Sequence, residues 1–379
     1  MSMRGRVATG LTVPARAVST RAAATRAAAN EPATRPEPPR LQPGGLPLRW
    51  IVFAVVIVLA AATAGLLVGA AALPPRGVLA EVLGRITGRG SSALTERQQA
   101  VLWQLRAPRV ALGLVVGAAL AVSGAAYQGV FDNPLADPYL LGVASGAGLG
   151  ATLAVAAASG ASALLPLAAF AAAVGAVAAT YLLGRSVGGR GTTSLILAGV
   201  AVAAFAQAVQ TYVQQRNADT LREVYSWLLG DLSSAGWGDV ALITPYVLGS
   251  TVVILAHRRL LDALRLGETE ARALGLQTTR IRLAVVAAAT LATAAAVAVS
   301  GLIGFVGIVV PHTVRMLAGA SNAVVLPLSA LVGAAFLVLA DIAARSVATP
   351  AEVPIGVITA AVGAPFFAIV LRARRRDLR

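Results

Sequence analysis

The chain has 379 residues, of which 57% are hydrophobic and 12% are charged, and its formal net charge is +15. With a mean hydropathy of +0.77, it lies far outside the range of soluble globular domains, so we predict an integral membrane protein. It contains no cysteine, two histidines, and 31 basic residues that are all arginine. This composition excludes thiol chemistry, a P-loop lysine and a Schiff-base lysine, and it argues against a histidine-rich metal site. Use of ATP as an energy source would therefore require a partner protein.

Residues 1–49 are rich in Ala, Arg and Pro and show no sustained apolar face. We predict that they form a disordered cytoplasmic tail. A targeting peptide is the competing interpretation, because Arg-rich and acid-poor chain ends can be targeting signals. No cleavage motif stands out before the first apolar segment.

Apolar stretches recur between residues 50 and 371, which we assign to the membrane domain, and residues 372–379 form a second basic tail. A helix needs about 17 to 25 mostly apolar residues to cross a hydrocarbon core of about 30 Å. We therefore predict an all-α polytopic protein with about ten transmembrane helices. The predicted spans are 50–73, 107–129, 139–158, 162–183, 193–213, 240–256, 281–299, 303–318, 324–344 and 355–371.

The distribution of arginine predicts the orientation of these spans. With the N-terminus and C-terminus both inside, 22 arginines fall on the inner side and nine on the outer side. Without the N-terminal tail the ratio is 14 to nine. Positive residues favour the cytoplasmic side, so we predict an N-in, C-in topology.

The second and third spans are separated by DNPLADPYLLG, residues 132–142. Pro134 and Pro138 remove backbone donors and stop helix propagation, while Asn133 or Asp137 can cap the next helix. We predict a rigid cytoplasmic turn.

A second interruption, SGLIGFVGIVVPHTVR, covers residues 300–315. Gly304 and Pro311 predict either a broken helix that lines a cavity or a simple kink. The tetrapeptide AVSG precedes both interruptions, at 121–124 and 298–301. A displacement of five spans reverses orientation, so an inverted repeat is one interpretation.

Two polar segments are longer than simple connections. In residues 257–280, leucines recur at helical spacing, which predicts short amphipathic helices broken at Gly267, with Gly275 ending the second. They would rest on lipid headgroups or dock a cytoplasmic protein. Residues 214–239 carry Tyr and Trp, which form either an aromatic belt or the lining of a substrate entrance.

Several motifs, in order and at suitable spacing, make the chain resemble the FecCD-type permeases of ABC importers from about residue 50 to 371. These motifs are WQLRAPR (103–109), GAALAVSGAAYQGVFDNPLADPYLLGVASGAG (117–148), LILAGVAV (195–202), WLLGDL (227–232), LGETEARALGL (266–276), GLIGFVGIVVPH (301–312), LADIAAR (339–345) and EVPIGVITAAVGAPFF (352–367).

The resemblance implies a permease of the bacterial cytoplasmic membrane that pairs with a second copy or with a related chain. It also implies two cytoplasmic ATPase subunits, which hold ATP and Mg²⁺, and an external substrate-binding lipoprotein. We expect this chain to bind no cofactor, metal or nucleic acid and to have no catalytic residue.

The resemblance also implies roles for particular residues. The element LGETEARALGL would couple the permease to the ATPase. Arginines at the outer rim would dock the binding protein. The coupling residues are Gly267, Glu268, Ala271, Leu274, Gly275 and Leu276, and the docking residues are Arg106, Arg109 and Arg345.

The family carries iron-siderophore complexes, haem or cobalamin, and we expect a ferric siderophore as the substrate. Haem and cobalamin stay open as alternatives. A proton-coupled secondary transporter is the rival class, and it would need Asp341 or Glu352 to titrate. Dependence on an ATPase separates the two classes.

Overall fold

The computed structural model describes residues 46–88, 94–157, 164–186 and 192–377. Within these residues all regular secondary structure is helical. The predicted N-terminal tail lies almost wholly outside the described residues. The helices, numbered in chain order, are α1 (Leu48–Leu67), α2 (Pro75–Thr87), α3 (Glu96–Phe131), α4 (Val143–Ala157), α5 (Leu165–Ser186), α6 (Thr192–Arg216), α7 (Leu221–Leu228), α8 (Trp237–Ala256), α9 (Arg258–Leu264), α10 (Glu268–Ala273), α11 (Thr278–Ser300), α12 (Val306–Ala318), α13 (Asn322–Ala344) and α14 (Ile355–Asp377).

The predicted all-α membrane fold is confirmed. In the described part of the chain, seven helices are long and apolar enough to cross a membrane, and three more, in α4, α12 and α14, are apolar but shorter. Each of these ten helices overlaps one predicted span. The number of spans and the N-in, C-in orientation stay predictions, since length and apolarity do not place a helix in the bilayer.

Helix α3 is longer than its predicted span, because 36 residues run without a break from Glu96 to Phe131. Such a helix is about 54 Å long and exceeds a hydrocarbon core of about 30 Å. Its turn at Val101–Arg106 is a π-helix, and the N–H of Ala107 donates to the carbonyl of Leu102. Pro108 follows and has no N–H to donate, so the wide turn carries the helix past a proline.

Three helices form the centre of the bundle. The buried share of the apolar stretch is 78% in α3, 67% in α11 and 61% in α13. In the other four long helices this share is only 17% to 28%. A helix that is apolar all round and buried lies inside the protein, while the exposed apolar helices have the surface expected for contact with lipid.

Glycines let the central helices approach closely. A Cβ atom at Gly117 of α3 would collide with the backbone carbonyl of Gly333 on α13. One at Gly124 would collide with the carbonyl of Gly307 on α12. Small residues at such crossings bring two backbones together, which fixes α3, α12 and α13 against one another.

Candidate functional site

The turn between α3 and α4 is held by its own polar side chains. Asp132 ends α3 in the left-handed region, with φ of 46°. The Asn133 side chain accepts from the N–H of Leu135 at 3.0 Å. Asp137 accepts from the N–H of Tyr139 at 2.7 Å and so caps a short 3₁₀ helix, Pro138–Leu141. The prolines and acids of this segment therefore specify one turn conformation.

The two interruptions predicted from the sequence meet in space. The Tyr139 hydroxyl donates to the carbonyl of Ile303 at 3.0 Å and accepts from the N–H of the same residue at 3.2 Å. Pro138 packs against Gly307, and the Gln128 side chain donates to the Gly307 carbonyl at 3.1 Å. The non-helical residues between α11 and α12 thus find partners in the turn that follows α3. We name this contact the interior junction.

Sequence reasoning missed Tyr139 and Gln128, because only contacts distant in the chain reveal their roles. Of the predicted pathway residues, Gly304 lies in the connection before α12, where no atom outside its neighbours approaches the position of a Cβ. Pro311 lies inside α12 and is buried. Pro134 lies in the turn itself.

The described structure weighs against the AVSG pairing as a pair of equivalent helix ends. Residues 121–124 lie within α3, which continues to Phe131, whereas α11 ends at Ser300. The inverted repeat stays a prediction.

A cluster of charged residues lies where α3, α13 and the segment before α14 meet. Arg109 donates to Glu352 through both terminal nitrogens, at 3.0 and 2.8 Å. It also donates from Nε to Asp341 at 2.9 Å. Arg345 lies 3.5 Å from the other oxygen of Asp341. We name Arg109, Asp341, Arg345 and Glu352 the outer ion cluster, since the predicted topology places it outside.

Two arginines hold the end of α1: Arg345, from this cluster, and Arg106. Arg106 donates to the carbonyls of Leu66 at 2.8 Å and Leu67 at 2.9 Å, and also to Ala71. Arg345 donates to the carbonyl of Gly65 at 2.9 Å. These carbonyls belong to the last turn of α1 and to the connection after it, where a helix has no internal donors to offer. The arginines therefore fasten α1 to the centre of the bundle.

The three predicted docking arginines are thus close together, and each already has partners within the chain. Only 5% of Arg106 and 8% of Arg345 are exposed. Their role in docking a binding protein stays a prediction. The two acids that a proton-coupled mechanism would use, Asp341 and Glu352, both bind Arg109.

The segment 257–280 forms two short helices, α9 and α10, as its periodicity predicts. Gly267 separates them with φ of 115°. After α10, the N–H of Gly275 bonds to the carbonyl of Arg272 at 2.9 Å and that of Leu276 to Ala271 at 3.1 Å. This pair of bonds is a Schellman motif, so the predicted helix end at Gly275 is confirmed.

The apolar face of this segment is divided between the bundle and the surface. Leu261, Leu264 and Ala271 are buried in the protein's own core, whereas 66% of Leu274 and 40% of Leu266 are exposed. The predicted face is therefore only partly available to another protein. Leu276 packs against the core at its edge.

Polar contacts bind α9 to the turn between α12 and α13. Asp262 accepts from the hydroxyl of Ser321 and from the N–H of Asn322, both at 2.7 Å. Arg265 donates to the carbonyl of Ala320 at 2.8 Å. The segment thus has one face fixed to the bundle and one face directed outward.

A cavity of about 480 Å³ opens beside α7. Asp219, Glu223 and Asp231 line it with Arg222 and Trp227. Trp237, from the same predicted outer segment, donates its indole N–H to the carbonyl of Trp103 at 2.8 Å. One tryptophan of the segment therefore lines a cavity, and the other joins α8 to α3.

Among the residues that the structure describes, no group of three or more His, Cys, Asp or Glu side chains could hold a metal ion.

Comparisons with known proteins agree with this geometry. The sequence profile of the FecCD transport family matches residues 53–373. The cobalamin import system permease protein BtuC of Halobacterium salinarum is 43% identical over 74% of this chain and 75% of that protein. The hemin transport system permease protein HmuU of Yersinia pestis is 40% identical over 73% of this chain and 84% of that protein.

A solved structure, described as an inward-facing conformation of a metal-chelate type ABC transporter, is 30% identical to this chain. It aligns with a TM-score of 0.76 over 86% of this chain and 99% of that one. The fold, the order of the motifs and the sequence profile all indicate the same family. This chain is therefore a multi-pass permease of the cytoplasmic membrane that belongs to the FecCD transport family.

Proposed function

We propose that this chain is one of two permease subunits in an ATP-driven importer that takes up a metal chelate. The division of the segment 257–280 into two faces carries this proposal. Leu261 and Leu264 fix it to the bundle, while Leu274 and Leu266 are directed away from it. A short helical segment that is fixed to the bundle and presents exposed apolar side chains suits insertion into a groove of a partner protein.

The partner is proposed to be the ATPase. The chain has no lysine, so it lacks the residue that a P-loop uses on the phosphates of ATP. Binding and hydrolysis of ATP, with Mg²⁺, would then take place in two cytoplasmic subunits. Movement of those subunits would reach the permease through the segment 257–280.

The proposed substrate is a metal chelate with a tetrapyrrole-type ring. Relatives 40% to 43% identical to this chain are named as permeases for cobalamin, vitamin B12 and hemin. The ferric siderophore expected from the family resemblance remains a second candidate. The cavity beside α7 is a candidate for the outer entrance, since it is open and its polar side chains lie beside Trp227, Leu165 and Val299.

We also propose that an external binding protein delivers the chelate at the outer ion cluster. Arg109 presents a planar, permanently charged fork, which suits carboxylates of a partner. It now holds Glu352, whose side chain is 42% exposed. A carboxylate of the binding protein would exchange with Glu352 at this arginine.

Uptake by cells with and without the gene tests the substrate and the class. Radiolabelled cobalamin, hemin and a ferric siderophore are supplied separately, with re-expression of the chain as the positive control. We expect re-expression to restore uptake of one macrocycle. Restoration of siderophore uptake alone would move the substrate to the second candidate.

The energy source is tested in proteoliposomes that contain the permease and the ATPase copurified with it. We expect uptake to need ATP at the ATPase face and to survive collapse of the proton gradient. Uptake that follows the proton gradient without ATP would support the secondary transporter and contradict the proposal.

A further inference from the structure

The side chain of Asp262 supplies an N-terminal cap to a helix from another part of the chain. Helix α13 begins at Asn322, and its first N–H groups have no partner within the helix. Asp262 accepts from the N–H of Asn322 at 2.7 Å and from that of Ala323 at 3.4 Å. A carboxylate at a helix N-terminus is favoured by hydrogen bonding and by the helix dipole.

The helix already has a local cap, so the second cap needs an explanation. Ser321 accepts from the N–H of Ala323 at 3.2 Å, as an N-cap residue does. Its hydroxyl in turn donates to Asp262 at 2.7 Å. Asp262 therefore adds a charged connection between α9 and α13 to a helix end that is capped without it.

This connection is rigid on the side of α9. Leu261 and Leu264 flank Asp262 and are buried in the core. Arg265, one turn further on, donates to the carbonyl of Ala320. Contacts on both sides of the turn before α13 thus bind it to α9, and a displacement of α9 would displace the end of α13.

Helix α13 extends from this turn to the outer ion cluster. Its 23 residues span about 35 Å. Near its far end, Asp341 binds Arg109 and Arg345. In its middle, Gly333 lies against Gly117 of α3, so closely that neither position has room for a Cβ atom. Such an approach packs the two backbones directly against each other. One continuous helix, which has Pro327 in its first two turns, therefore connects the segment 257–280 to the outer ion cluster.

We propose that Asp262 is a positioning residue that transmits signals through α13, so that docking at the outer ion cluster and ATP hydrolysis in the cytoplasmic partner influence each other. This inference depends on the proposed function. A physical account of coupling between distant sites needs an element whose arrangement both sites bias. Helix α13 has a charged contact at each end, and Asp262 is the contact at the inner end.

The experiment uses Asp262→Ala in the complete complex with the ATPase and the binding protein. The readout is the fold stimulation of ATP hydrolysis by the binding protein, which is its stimulated rate divided by its basal rate. Loss of coupling should lower the fold stimulation about fivefold or more. The amount of copurified ATPase and the melting temperature show whether the complex is intact.

Two further variants make the result specific. Asp262→Ser together with Ser321→Asp exchanges donor and acceptor, keeps a cap on Ala323, and should restore stimulation. Thr95→Ala removes the cap of α3 at the other end of the bundle, where the Thr95 hydroxyl accepts from Gln98, and should leave stimulation unchanged. Equal loss in Thr95→Ala, or no recovery in the exchanged pair, would overturn the assignment.

Hydrogen exchange tests the connection in the purified permease without any partner. Exchange at Asn322, whose N–H donates to Asp262, should become faster in Asp262→Ala, and unchanged exchange there would overturn the proposal. If the wild-type complex shows no stimulation, the proposed function fails, and the exchange measurement still decides whether Asp262 holds α13.

Discussion

Arg109 holds Glu352 with both terminal nitrogens, at 3.0 and 2.8 Å, although the two residues are separated by 243 positions in the sequence. The pair joins α3 to the segment before α14. Arg109 is also one of the three arginines to which the family resemblance assigns a docking role. An internal carboxylate thus lies where a partner's carboxylate would bind.

Glu352→Gln should strengthen docking of the binding protein severalfold. The amide keeps the size of the side chain but removes the charge that competes for Arg109. Binding kinetics on permease held in nanodiscs measure the effect. Glu96→Gln, at an exposed acid on the predicted outer side and 13 residues before Arg109 on α3, is the control for long-range charge. Equal gains in both variants would mean that Arg109 has no specific docking role.

Leu274→Asp should remove the ATPase from the purified complex and abolish uptake, with little change in the melting temperature of the permease. Two thirds of Leu274 is exposed, so a carboxylate at this position stays in water in the free permease. In the complex the same carboxylate would be buried without a partner in an apolar groove of the ATPase, which is unfavourable. Copurification with a tagged permease measures the loss. Val347→Asp, on an equally exposed residue in the predicted outer connection, should retain the ATPase. Retention of the ATPase by Leu274→Asp would exclude this leucine from the interface.

Gly124→Ala should destabilise the permease by about 1–3 kcal/mol, since the new methyl group overlaps the carbonyl of Gly307 and α3 must move away from α12. Denaturation in detergent measures the difference. Gly175→Ala in α5 is the matched control, because no atom beyond its own helix lies within 4 Å of the new Cβ. This substitution should be neutral or slightly stabilising. Equal stability of the two variants would show that the crossing of α3 and α12 tolerates a methyl group.

Tyr139→Phe should lower the free energy of unfolding by about 1–3 kcal/mol, because the N–H and the carbonyl of Ile303 both lose a partner in the interior junction. The melting temperature should fall, and uptake should fall with it if the junction shapes the path. Tyr225→Phe removes a hydroxyl from a tyrosine that is 55% exposed and should leave the melting temperature unchanged. No loss in Tyr139→Phe would mean that the junction is held by Pro138 and Gln128 alone.

Structural features that depend on short stretches of sequence agree with their predictions. Each of the ten apolar helices overlaps a predicted span, because length and apolarity are local properties of the chain. The residue type alone predicts helix breaks at Gly267 and Gly275, and both residues adopt positive φ angles, which favour glycine. The motifs that identify the family are also local, so the order of residues along the chain is enough to recognise them.

Contacts between residues that are distant in the sequence could not be predicted. The apolar spacing in 257–280 gave one face, but the fold buries Leu261 and Leu264 and exposes Leu274. The arginines of WQLRAPR looked available for a partner, but α1 and the acids at 341 and 352 occupy them. No local pattern shows which of two faces the rest of the chain will cover.

The sequence by itself therefore determined that the chain is a helical membrane permease of a particular family, because apolar length, helix breaks and motif order are all encoded locally. Only the tertiary structure decided that Tyr139 binds Ile303, that Arg109 binds Glu352, and that Asp262 caps α13. The physical reason is that buried polar groups must find partners, and in a bundle of packed helices those partners come from residues far apart in the chain.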